Sequence, residues 1–228
     1  MDNKREDWSD DELKAAVVAY RQIQRRERAG ERGFKRQIYR ELGARFGRTD
    51  KAFEFRMQNI SAVLALMGRE WISGLKPAKH IGTHVAARLE RCINEVDGSS
   101  SPAVVAHELE VREWIRRPFV QMPDGQIKPV RSVGQVSTFS RDPAVKAWVL
   151  RRAGGVCECC KERAPFATLD GSPYLEVHHL RTLADGGSDR VTNTVALCPN
   201  CHRRLHYGTD QQVLKLQLLA SVAELREE

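Results

Sequence analysis

The chain has 228 residues, 41% hydrophobic and 29% charged, with 37 Lys and Arg against 30 Asp and Glu for a formal charge of +7. That balance is typical of a soluble globular protein with room for two compact domains, and no apolar run approaches the roughly 20 residues that span a bilayer. The charged start, Met-Asp-Asn-Lys-Arg-Glu-Asp-Trp, is no signal peptide, so a cytoplasmic location is expected, and the six cysteines read as metal ligands rather than disulfides.

Residues Trp8 to about Gly68 read as three helices. Ser9 with Glu12 makes a capping box, and Leu13, Ala16, Val17, Tyr20 and Ile23 recur at helical spacing. A basic, glycine-containing break over residues 25–33 separates this helix from a second with Phe34, Ile38, Leu42 and Phe46 on one face. Gly47-Arg48-Thr49-Asp50 then turns into a third helix whose buried stripe is Phe53, Met57, Ile60, Leu64 and Met67. Lys51, Glu54, Arg56, Gln58 and Asn59 are left towards solvent. This layout matches a helix-turn-helix, with DNA contact expected from Arg48, Lys51, Arg56, Gln58 and Asn59. Any small three-helix bundle with solvated faces is the competing reading. The openings Trp-Ser-x-x-Glu-Leu and Phe-Arg-Met-Gln-Asn-Ile-Ser-Ala-Val-Leu resemble a Myb-like trihelical domain and the N-terminal head of some modified-DNA restriction proteins.

Further helices are expected around His84 to Val96 and Ala103 to Ile115, with a loop at Asp97 to Pro102 between them. His80, His84 and His107 have no partner Cys or acidic cluster and read as surface or packing residues, and Cys92 reads as a buried thiol. Residues Arg117 to Phe139, rich in Pro and Gly, read as an extended connector or short strands. The expected domains are therefore a helical head over 1–117, a linker over 118–140, and a C-terminal domain over 141–228.

The C-terminal part carries the chemistry. Asp142 and Pro143 start a helix that ends at Gly154-Gly155, and Cys157-Glu158-Cys159-Cys160 follows at once. With Cys198-Pro199-Asn200-Cys201 it supplies two Cys-x-x-Cys pairs, whose four thiolates fit a closed tetrahedral zinc at about 2.3 Å per bond. Cys159 competes with Cys160, but the two-residue spacing favours Cys160. Tyr174 to Leu180 alternates as a strand, so His178 and His179 point to opposite faces: one imidazole can address a metal and its neighbour a nucleophile. Asn193 precedes the second knuckle, and His202 and His206, four apart on the next helix, share a face. A last helix capped by Thr209-Asp210 carries Val213, Leu214, Leu216, Leu218, Leu219 and Val222, a face for packing or for a dimer. Arg151, Arg152, Arg181, Arg190, Arg203 and Arg204 are available for phosphates or simply for solvation.

From about residue 140 to 208, through Leu-Glu-Val-His-His-Leu and Leu-Cys-Pro-Asn-Cys-His-Arg-Arg-Leu-His-Tyr, the sequence resembles the HNH (ββα-metal) nuclease domain, in particular that of McrA-type, modified-cytosine-dependent restriction endonucleases. The fold class implied is α+β: an all-helical, helix-turn-helix-like N-terminal domain and a zinc-stabilised ββα-metal C-terminal domain. By resemblance His179 is the general base that activates water, His178, His202 and His206 hold the catalytic metal, Asn193 fixes the loop that orients the base strand, and Cys157, Cys160, Cys198 and Cys201 hold structural zinc. The catalytic ion expected is Mg²⁺ or Mn²⁺, with Co²⁺ and Ni²⁺ also suited to imidazole. Double-stranded DNA, possibly modified, is the expected partner, and cutting both strands calls for a homodimer. The alternatives are a zinc-stabilised DNA-binding protein with a silent HNH unit, and a mobile-element or RNA-linked HNH nuclease without dependence on modification.

Overall fold

The computed structural model describes residues 7–99, 104–117, 122 and 139–228, so the connector expected over Arg117 to Phe139 lies almost wholly outside the described residues. The chain divides into two compact units, one of Met1–Met67 and Trp71–Ser137, the other of Gly68–Glu70 and Thr138–Glu228.

The first unit holds α1 (Asp10–Arg28), α2 (Lys35–Phe46), α3 (Asp50–Leu66), α4 (Thr83–Val96) and α5 (Val105–Arg116). The capping box is formed: Glu12 N donates to Ser9 Oγ at 3.2 Å, and Ser9 N donates to Glu12 Oε2 at 2.6 Å. The expected apolar stripes make one core in which Leu13, Tyr20, Ile23, Phe53, Met57, Ile60 and Leu64 are almost fully buried with Leu89 and Ile93 of α4. Each large side chain of this kind withdraws enough apolar surface to favour burial by about 1.5–3 kcal/mol. Helix α5 lacks a cap of its own at Val104. Its start is instead satisfied from α4, where the buried Glu90 carboxylate accepts from Val104 N at 2.9 Å and Val105 N at 3.1 Å. His80, His84 and His107 are exposed and Cys92 is buried, as expected.

The second unit is built from α6 (Pro143–Ala153), β1 (Glu176–His179), β2 (Thr194–Leu197), α7 (Pro199–Tyr207) and α8 (Gln211–Ser221). Asp142 Oδ1 accepts from Ala144 N at 2.8 Å and Pro143 takes the first helical position, so α6 begins where the sequence placed it. The strands pair antiparallel with Glu176 opposite Leu197, His178 opposite Val195 and His179 opposite Thr194. Val195, Ala196 and Leu197 are fully buried against Val149, Leu218 and Val222. Leu214 is also buried, whereas Val213 and Leu216 are exposed, so only part of the apolar face of α8 packs inward. Asp210 stands at the N-cap of α8 without a side-chain capping bond, because its carboxylate is bound by Arg204.

Arg152 has neither of the roles weighed for it. Its guanidinium donates to both oxygens of Glu158 at 2.7 and 3.0 Å, to Glu224 Oε2 at 2.7 Å and to Thr194 O at 2.8 Å, while Glu158 Oε2 also accepts from Ala196 N. One planar fork thereby ties α6 to the first knuckle, β2 and the C-terminus.

Candidate active site

Two separate groups of side chains that could hold a metal ion stand in the second unit. Cys157, Cys160, Cys198 and Cys201 bring their sulfurs within 4.8 Å of one another. A tetrahedron of Zn–S bonds of about 2.3 Å has edges of roughly 3.8 Å, and Cys160 Sγ lies 3.9 Å from Cys198 Sγ. Cys198 N donates to Cys157 Sγ at 3.2 Å and Cys201 N to Cys198 Sγ at 3.5 Å, so backbone amides turn towards sulfur at both knuckles. Burial and the adjacent sulfurs push the Cys201 thiol up, a penalty for clustered thiolates that a bound cation reverses. Cys159 is outside the group.

The second group is His178, His202 and His206. Strand alternation sends His178 to this side and His179 to the other. The three rings meet edge to face or tilted, with centroids 4.8–4.9 Å apart. His202 Nδ1 donates to Glu176 Oε2 at 2.5 Å, and His206 Nδ1 donates to Gly68 O at 2.7 Å. With both Nδ1 atoms committed, the two Nε2 atoms face each other at 3.2 Å. Two imidazole lone pairs at that distance repel unless a proton or cation lies between them, and orientation of ligand histidines by a carboxylate and a carbonyl is the usual outer support of a metal site. Burial holds the pKa of His178 well below the ordinary value, with the neighbouring imidazoles adding to it, and burial also lowers His206 against the opposing effect of the Gly68 bond. The neutral forms that ligate are the favoured ones.

His179 faces a different partner. Its Nε2 lies 2.7 Å from Asp189 Oδ1, so the neutral tautomer donating from Nε2 leaves Nδ1 with a free lone pair. Burial would raise the Asp189 carboxyl, but the His179 bond and the Asp142 amide, 2.6 Å from its other oxygen, bring it below the ordinary value. His179 and His202 line both of two open clefts. One, of about 300 Å³, includes His178, His206 and Thr182; the other, of about 490 Å³, includes Lys146, Glu176 and Asp189. Arg141 lines both, adding a cation beside the histidines.

Asn193 is almost fully buried and spends every polar atom on the loop: Oδ1 accepts from Arg181 N at 2.9 Å, and Nδ2 donates to Arg181 O at 2.9 Å and Ser188 O at 2.8 Å. The loop closes so tightly that a Cβ on Gly187 would sit 2.0 Å from Arg181 O, which only glycine avoids. Thr194 turns its hydroxyl to Arg190 O at 2.6 Å, an interior role.

In the first unit, the residues expected to touch DNA divide. Arg56 is not towards solvent: it is buried, its guanidinium lies 4.2 Å from the Trp8 ring centroid, and burial lowers its pKa to about 10. Arg48 lies over the same ring at 4.5 Å and pairs with Glu12. Trp8 draws both cations in because the indole face is a good cation–π acceptor and Glu12 neutralises one of them. Lys51 is exposed next to the exposed Phe55, and Gln58 and Asn59 are half-buried.

Glu176, Asp189 and Arg141 were not singled out in the sequence. Glu176 had a usable signal, since it stands two residues before His178 on a strand and so shares its face. Asp189 had none, because the loop that returns it to His179 is set by Asn193 and Gly187.

Residues 157–208 match the family described as HNH endonuclease. The chain is 44% identical over 118 residues to the Type IV methyl-directed restriction enzyme EcoKMcrA of Escherichia coli (strain K12), a match covering 52% of this chain and 42% of that protein. It spans less than half the length of that relative. Among solved structures it is similar to the Type IV phosphorothioation-dependent restriction endonuclease ScoMcrA, at 29% identity, covering 57% of this chain and 22% of that one with a TM-score of 0.33. The paired knuckles and the histidine group both lie within the stretch of the C-terminal unit that matches the HNH endonuclease family.

Proposed function

We propose that the protein is a divalent-metal-dependent DNA endonuclease, a restriction enzyme directed to modified cytosine, in which residues 1–117 recognise DNA, 118–140 link, and 141–228 cut. The observation that carries the reading is the division of adjacent histidines: His178 joins His202 and His206 in a ligand group, while His179 is held by Asp189 with its Nδ1 free.

The donor set of three neutral imidazoles suits Mn²⁺, Co²⁺ or Ni²⁺ by softness and leaves Mg²⁺ as a weaker fit, and the four thiolates suit zinc. A divalent ion in the histidine group would supply charge neutralisation on the phosphate and stabilisation of the leaving oxygen. The chain's own residues do the rest. His179 takes the proton of the attacking water at Nδ1, a role typically worth about 10²–10⁴-fold. Asp189 orients the ring and stabilises the imidazolium formed. Arg141 lines both clefts and Lys146 the larger one, where phosphates would lie, and Asn193 holds the loop that keeps Asp189 in reach. Lys51, Gln58 and Asn59 remain the proposed contacts of α3, with Arg48 and Arg56 shaping its start through Trp8. Two such sites cut two strands, which supports a homodimer in action.

His179→Ala is expected to abolish plasmid nicking in Mn²⁺ or Mg²⁺ while the circular dichroism spectrum and zinc content stay those of the parent. Cleavage at the parental rate by His179→Ala would remove His179 as base.

A further inference from the structure

Three residues distant in sequence complete the nuclease unit. Gly68, Arg69 and Glu70 follow α3 by one residue, yet they belong to the same compact unit as 138–228. Each is tied to a different element there. Gly68 O accepts from His206 Nδ1 on α7 at 2.7 Å. Arg69 donates to Asp185 Oδ1 at 2.7 Å and Ala184 O at 3.3 Å, on the loop between the strands. Glu70 accepts from Lys215 on α8 at 2.6 Å.

The Arg69–Asp185 pair is the anchor of this strap. The side chains are 10% and 0% exposed, and the other Asp185 oxygen accepts from Thr182 Oγ1 at 2.6 Å. An ion pair so enclosed fixes its backbone closely, since displacing either partner leaves a charge without water or counterion. Gly68 is held from the other side. Its φ of +67° is left-handed, and a Cβ would meet the Tyr207 ring at 2.9 Å. The carbonyl that faces His206 is thus aimed by a buried ion pair on one flank and by a left-handed backbone turn, which glycine adopts without strain, on the other.

We propose that the Gly68–Arg69–Glu70 strap is a positioning element of the histidine metal site: Arg69, locked on Asp185, sets the Gly68 carbonyl that holds His206 with Nδ1 protonated and Nε2 turned to the ion. This rests on the reading of His178, His202 and His206 as ligands. The strap does for His206 what Glu176 does for His202. Without it the imidazole can rotate or take the other tautomer, and the ligand group loses its preset third member. Outer partners of ligand histidines commonly contribute 10–100-fold in affinity.

The test is metal binding to the intact chain, measured without DNA. In the parent, long-range ¹H–¹⁵N spectra of the imidazoles should show neutral His206 protonated on Nδ1; an Nε2-protonated His206 would overturn the proposal with no substitution at all. Calorimetric titration of the zinc-loaded chain with Ni²⁺ or Mn²⁺ should show a Kd about 10–100-fold weaker for Arg69→Met and for Gly68→Ala, with partial recovery in Arg69→Lys and zinc content constant. Kd values within twofold of the parent in the variants that retain zinc and a cooperative melt would overturn it. If the parent itself binds no ion at the histidines, the ligand reading has failed; if it binds and the variants bind equally, only the strap has.

Discussion

At the residue scale, neighbouring side chains of one type are given different chemistry by what they touch. His178 and His179 are adjacent, yet one is enclosed among imidazoles and the other is bonded to Asp189. Asp189→Asn keeps the shape of the partner but removes the charge that favours an imidazolium. Its cleavage rate is expected to drop about 10-fold or more with metal affinity unchanged, a comparison of rates against metal titrations being the check. The same pair makes a pH prediction. The folded carboxyl of Asp189 titrates below its ordinary 3.8, so its contribution to stability is complete above that value and is lost as pH falls through the lower folded value. The stability gap between parent and Asp189→Asn, read by urea melts, should therefore be constant at neutral pH and close below about pH 3.8.

Among elements, the second unit is assembled from short pieces that could not stand alone. The strands have four residues each and α7 has nine, so a small core is supplemented by the Arg152 fork and by the cysteine cluster, which would add folding energy when it holds zinc. Arg152→Met leaves Glu158 without its counterion beside Ala196, and removal of one partner from a buried pair costs about 3–5 kcal/mol. A fall of that size in the unfolding free energy of the zinc-loaded chain is expected in denaturant titration; a change under about 1 kcal/mol would make the Arg152–Glu158 bond incidental. Most elements were legible. The capping box, the Asp142-Pro143 start and the helical and strand periodicities are local signals, and α1 to α6 begin and end within a few residues of the expectation. Asp210 as a cap was not, because a competing arginine on α7 is invisible to local reading.

For the whole molecule, the proposed function leaves substrate choice to the part of the chain the family match does not cover. Residues 157–208 match HNH endonucleases, while the relative described as methyl-directed is matched over 118 residues. If the proposal of a modification-dependent enzyme holds, plasmid carrying 5-methylcytosine should be cut in Mn²⁺ and the same plasmid from an unmethylating host spared; equal digestion of both would leave a plain nuclease.

The sequence by itself determined which residues are candidates for the chemistry: the two Cys-x-x-Cys pairs by their spacing, and the His-His strand and His-x₃-His helix by periodicities of two and 3.6, which fix side-chain direction without knowledge of the fold. What only the tertiary structure decided is who holds those residues in place. Glu176 on His202, Asp189 on His179 and the carbonyl of Gly68 on His206 lie 26, 10 and 138 residues from their partners. Burial likewise settled that Arg48 and Arg56 enclose Trp8 and that Arg152 is a staple. A charged side chain looks the same in sequence whether it meets water, phosphate or a buried carboxylate, and only packing chooses among them.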